Sequence, residues 1–188
     1  MIKLSFLARL RKNEVIGLVE PSEEIKQSYI DKSASNIDSA KILLKNNKLE
    51  ESIALSYYSM YHLVTSLFFK TGLKSENHNA TIQILKDIFG IDNKEISLAK
   101  KERLDKQYYF NFKISKEEVA EAIKKAEIFN RFMYDFISKI TNEEIRKARE
   151  KFELITKEWR ATPGAGVTPS CDFQGMLLSR NKVSKASK

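Results

Sequence analysis

The stretch Ala54 to Gly72, ALSYYSMYHLVTSLFFKTG, carries large apolar residues around nearly the whole circumference of a helix. One stripe runs Ile53, Tyr57, Met60, Val64 and Leu67; a second runs Leu55, Tyr58, His62, Thr65 and Phe69. Both step by threes and fours, as a helical face requires. A helix that is apolar all round is buried on two sides, at the centre of a bundle or between a bundle and a partner subunit. The first stripe reads as ordinary core. The second ends in hydroxyls and an imidazole, which need hydrogen-bond partners once buried, so it is expected to face a partner or a cleft.

The 188 residues suit one domain with a real core, and their 42% hydrophobic content is that of a globular protein. No run of about 18 apolar residues is present, so no membrane span is expected. The opening MIKLSFLARLRKNE has some likeness to a signal sequence, but Arg9 interrupts its short apolar stretch and no small-residue cleavage site follows. A cytoplasmic protein is therefore expected. The one cysteine, Cys171, excludes an internal disulfide, and two histidines are too few for a Cys/His zinc cluster. Metal chemistry would have to rest on carboxylates, and no metal or cofactor is expected. The formal charge is +8, and residues 161–188 contribute four positive charges and one negative. The remaining body is mildly basic, which permits contact with nucleic acid without requiring it.

Glycine and proline punctuate the chain sparsely. Pro21 is the only proline before Pro163, and Gly72 and Gly90 are the only glycines between Gly17 and Gly164. Between them Lys, Glu, Leu, Ile and Ala dominate, which reads as all-helical. A first helix is expected from about Ser22, burying Ile30, Ile37, Ala40 and Leu44, with a turn at Asn46 to Lys48. The second helix stops at Gly72 in the manner of a left-handed cap. A loop over 74–77 leads to a short helix from His78 to Gly90. Three capping-box patterns open further helices: Asp92 with Glu95, Ser115 with Glu118, and Thr141 with Glu144. The last begins an amphipathic segment carrying Ile145, Ala148, Phe152, Ile155 and Trp159, expected to pack back on its own bundle. From Ala161 the composition shifts to ATPGAGVTPSCDFQG and a Ser/Lys-rich end, expected to be disordered or a processing remnant. The expected organisation is an N-terminal segment (1–20), a helical bundle (21–140), a helical extension (141–160) and a tail (161–188).

Two segments in this order, SYYSMYHLVTSLFFKTGL followed by His78 and KKERLDKQYYF followed by EEVAEAIKKAEIFNRFM, resemble the HEPN family, a helical nucleotide-binding and RNA-processing superfamily. The resemblance is to its small stand-alone prokaryotic members and covers roughly residues 13–140. It implies an all-α, antiparallel four-helix bundle that homodimerises through its central helices. It further implies a frequent companion, a minimal nucleotidyltransferase protein, in a toxin and antitoxin arrangement.

Catalytic members of that family are metal-independent ribonucleases using an arginine followed, after four to six intervening residues, by a histidine. Cleavage through the ribose 2′-hydroxyl asks for a proton-transfer group titrating near neutrality and a cation for the charged phosphate. Here the matching arginine is Arg103, and Tyr108, Tyr109 and Phe110 stand where the histidine would fall. A tyrosine with an ordinary pKa near 10 is a poor base at neutral pH, although it can donate a hydrogen bond or stack on a base. The catalytic candidates are therefore Arg103 and Tyr109, with His62 or His78 as the histidines able to reach Arg103 in space. Otherwise His62 reads as a hydrogen-bonded interface residue, and His78, beside a helix start, as a cap or a residue orienting the loop.

The basic run Lys100, Lys101, Arg103 and Lys106, with Tyr108 interleaved, is the nucleic-acid candidate. It could equally be a solvated helix face. Arg103 serves phosphate binding and a salt bridge equally well, with Asp105 as a competing anion. Tyr58, His62, Thr65 and Asp105 are the candidate structural or dimer-contact residues. The expected function is a non-catalytic or weakly catalytic RNA- or nucleotide-binding component, with a divergent endoribonuclease toxin and a helical scaffold as alternatives.

Overall fold

A computed structural model of the chain describes the backbone of residues 2–108 and 114–157, with side chains over 6–105 and 114–156. Seven helices and two short strands occur among the described residues: α1 (Ile2–Lys12), β1 (Ile16–Leu18), α2 (Glu23–Lys45), α3 (Leu49–Thr71), β2 (Leu73–Ser75), α4 (His78–Phe89), α5 (Lys94–Tyr108), α6 (Lys116–Lys139) and α7 (Asn142–Lys157). The fold is all-α, as its patterning implies. The expected tail 161–188 with Cys171, the helix end at Trp159, Tyr109, Phe110, and the side chains of Lys106 and Tyr108 lie outside the described residues.

Helix α3 is the hub, packing against α2, α4, α5, α6 and α7. Its residues Tyr57, Met60, Leu63, Val64, Leu67 and Phe68 are all buried, which is how its apolar circumference is satisfied. Helix α2 runs antiparallel to it across the tight turn at Asn46 and Asn47, with small residues at the crossing. The Ser33 hydroxyl donates to the Ser59 carbonyl at 2.8 Å, the Ser59 hydroxyl returns to the Ser33 carbonyl at 3.0 Å, and Ser52 donates to the Ala40 carbonyl at 2.7 Å. Asn130 of α6 joins this buried pair by donating to the Ser59 hydroxyl at 2.6 Å, which ties three helices at one polar node.

Local capping chemistry sets most helix boundaries. Ser22 caps α2 by accepting from the Ile25 amide, and Ser115 with Glu118 makes a reciprocal box at α6. Thr141 and Glu144 exchange the same pair of bonds, and the chain breaks at Ile140 so that α7 is a separate helix. The expected Asp92/Glu95 box is corrected. Asp92 accepts from Lys94, and the helix starts at Lys94, so Glu95 sits one position too early to reach back.

The segment at 74–77 is also not wholly a loop: Leu73, Lys74 and Ser75 pair antiparallel with Leu18, Gly17 and Ile16. The N-terminal segment joins the core through Leu7, Ala8 and Ile16, and α7 joins it through Ala148 and Phe152. The apolar stripe of α7 is thereby used on its own bundle, and that face is not free to dock a partner. Among the described residues no helix is long and apolar enough to cross a membrane.

Gly72 closes the joint between these parts. Its φ of 72° is left-handed, and Arg149 Nη1 lies 2.9 to 3.2 Å from the carbonyls of Val19, Thr71 and Gly72. A side chain at this position would overlap the Arg149 guanidinium and sit 2.7 Å from the Val19 carbonyl oxygen. Gly72→Ala is therefore expected to cost about 2 kcal/mol, from the backbone conformation and the displaced arginine together, read as a lowered urea midpoint. An unchanged midpoint would mean the joint relaxes freely.

Candidate nucleic-acid interface

The buried helix α3 aims three tyrosine rings, Tyr57, Tyr58 and Tyr61, at the start of α4, where His78 is the first helical residue. Of the two roles expected of His78, capping or orienting the loop, the cap is supplied by Asn77, whose side chain accepts from the Ala80 amide. That leaves the imidazole free to turn inward. It stacks on Tyr61 with ring centres 4.0 Å apart and planes 4° from parallel, and its Nδ1 hydrogen-bonds the Tyr57 hydroxyl.

The hydrogen-bond count assigns the tautomer. Tyr57 is fully buried, and burial holds its hydroxyl well above the usual tyrosine range, so it keeps its proton. Among the described residues that hydroxyl makes no other side-chain hydrogen bond, so it donates to Nδ1, and neutral His78 carries its proton on Nε2. In this state His78 offers a donor to an anion and not a free lone pair to a proton.

Helix α5 brings the cations. The Arg103 guanidinium lies 4.8 Å from the Tyr58 ring centre and 5.8 Å from that of Tyr57, the tyrosine that also holds His78. Arg103 Nε is buried without a hydrogen-bond partner, and among the described residues Arg103 makes no ion pair, with Asp105 or otherwise. Asp105 instead lines an open groove of ≈ 270 Å³ between α4 and α5 with Asn79, Ile82, Ser97, Lys100, Lys101 and Leu104. Lys100 donates to the Asn79 side chain. Burial lowers the Lys100 pKa, and Arg103 lowers it further.

Of Tyr58, His62 and Thr65, expected to face a partner or a cleft, His62 and Thr65 find hydrogen-bond partners within the chain. Tyr58 is capped by Arg103, and His62 Nδ1 accepts from Asn36 Nδ2 at 3.1 Å. Thr65 donates to the Tyr61 carbonyl at 3.0 Å. These bonds satisfy His62 Nδ1 and the Thr65 hydroxyl without a second copy. Patterning missed Tyr57 and Tyr61, the first because its stripe reads as plain core. A fully buried phenol needs a polar partner, and that requirement was the available signal.

Both histidines are held below the ordinary histidine value of 6.5: His62 by burial and then Lys32, His78 by burial and then Arg103, Lys100 and His62. The unfolded chain therefore takes up these protons first as the pH falls. Stability should be level above pH 6.5 and decline below it, down to the lower values of the folded state. Carboxylates with lowered pKa values, such as Glu23 with its Lys26 hydrogen bond, act only below about 4.5. Urea midpoints between pH 8 and 5 check this. A midpoint that rises on acidification would contradict it.

A family model described as the HEPN domain matches residues 27–136, the span holding Tyr57, His62, His78 and Arg103. The chain is also similar to the UPF0332 protein PH1297 of Pyrococcus horikoshii, at 24% identity over 138 residues, covering 73% of this chain and 80% of that protein.

Proposed function

The chain belongs to the HEPN domain family, and from that premise we propose that it binds RNA or a nucleotide through phosphate at Arg103, Lys100 and His78. In this reading it is a non-catalytic or weakly catalytic component of a toxin–antitoxin or nucleotidyltransferase-associated module. The observation that carries it is an arginine without a counter-ion among the described residues, beside a histidine whose Nδ1 is engaged by the Tyr57 hydroxyl. The charges shifting His62, His78 and Lys100 are all positive, which favours an anion in their midst. Part-buried Tyr58, with Arg103 over its ring, adds an aromatic group beside these cations.

Labelled single-stranded RNA incubated with the purified protein in excess EDTA should be retained and left intact. Failure to bind any RNA or nucleotide would overturn the proposal. A second reading, a metal-independent endoribonuclease, is favoured by one observation: Arg103 and His78 share Tyr57, so a histidine from α4 stands near the arginine although the motif on α5 lacks one. Cleavage in EDTA that is lost in Arg103→Ala would establish that reading. The proposed assembly is a homodimer, supported by exposed Ile128 and Phe132 one turn apart on α6. Light scattering at micromolar concentration tests it, and a monomer there would remove it.

A further inference from the structure

We propose that the ligand is a single-stranded RNA of several nucleotides, running from the Arg103 end of α3 along a line of rings to Tyr29 and Lys32 on α2. This rests on the RNA-binding reading and extends it to residues far from the basic run on α5. The line is continuous. Arg103 lies 4.8 Å from the Tyr58 ring, Tyr58 is 6.1 Å from His62, and His62 is 5.6 Å from Tyr29. Tyr29 stacks on Phe69 at 5.6 Å and 9°, and Lys32 Nζ stands 4.7 Å over the Tyr29 ring.

Each of these four residues is only part buried, so the line of rings reaches the surface, with Lys32 and Arg103 lying over the rings at its two ends. Cations without an ion-pair partner among the described residues sit at both ends, Arg103 at one and exposed Lys32 at the other. That arrangement of stacking faces between phosphate-neutralising groups suits a flexible strand whose bases are unpaired. A bare phosphate or a mononucleotide would use one end only. From Tyr58 to Phe69 the helix advances roughly 16 Å, room for about three to five nucleotides. A duplex, with its bases stacked inside, cannot reach the rings.

Fluorescence anisotropy with labelled RNAs of two, four and eight nucleotides, and an eight-base-pair duplex, tests this on the full chain. Affinity should climb from two to about five nucleotides and then level, with the duplex weaker than the single strand. Lys32→Ala, at an exposed site, and Tyr29→Leu, which keeps apolar packing, should each weaken the eight-mer at least about fivefold and leave the dinucleotide unchanged. Affinity independent of length, or equal losses for both lengths, would overturn the proposal while leaving phosphate binding at Arg103 intact. A Tyr29→Leu variant with unaltered RNA affinity but a changed oligomeric state would overturn it in favour of an interface between copies. No binding by any RNA would overturn both this and the parent reading.

Discussion

Phe152→Ala is expected to lower the unfolding free energy by about 3–5 kcal/mol, the range for truncating a buried phenylalanine in a core that only partly collapses. Phe152 has no solvent exposure and lies in the same apolar cluster as Tyr57, Leu67 and Leu85. The Arg11 guanidinium sits 5.2 Å from its ring centre and also pairs with Glu153 at 3.5 Å, which adds to the hold that Leu7 and Ala8 give α1 on the core. The change should therefore loosen α1 and α7 together. Urea denaturation followed by far-ultraviolet circular dichroism measures it, and a loss under about 1 kcal/mol would mark α7 as a detachable appendage. The span that matches the family model, 27–136, ends before this helix begins, yet the core does not.

Arg103→Ala is expected to weaken single-stranded RNA binding about 10- to 100-fold, the effect of removing a charge-assisted contact. Stability should change little, because the guanidinium makes no ion pair among the described residues and its Nε is already buried without a partner. Arg103→Lys should recover only part of the affinity. Lysine keeps the charge but lacks the planar group that lies over Tyr58. Equal RNA affinity in all three proteins would show that the α5 cations are a solvated helix face and nothing more.

Much of the fold was legible in the sequence because local chemistry sets it. Ser22, Gly72, Gly90, the Ser115/Glu118 box and the Thr141/Glu144 box each satisfy backbone groups within a few residues, and each ends or begins a helix where expected. The elements that were not legible depend on distant partners. Strand β1 is three residues long and finds β2 across two intervening helices, so no alternation marks either of them. The opening helix α1, expected only as an N-terminal segment, packs against α7 at the other end of the described residues.

The site divides in the same way. Arg103 stood out from its basic run, and His62 and His78 from their scarcity. Their neighbours did not stand out. Tyr57 and Tyr61 lie on the buried helix among residues of identical periodicity, and only the position of α4 gives their rings a polar role. Tyr29 and Lys32 come from α2, and their alignment with Tyr58 and His62 follows from the antiparallel crossing of two helices. The histidine that shares Tyr57 with Arg103 comes from α4, not from the spacing along α5.

Histidine side-chain NMR during titration with single-stranded RNA, in EDTA and near neutral pH, tests the central claim most directly. Phosphate seated between Arg103 and His78 should shift the His78 ring resonances and raise its pKa, now held down by burial first and then by Arg103 and Lys100, by offsetting those cations. The same titration on Arg103→Ala should leave them nearly still. His78 resonances and pKa that stay unchanged while RNA binds would contradict the account.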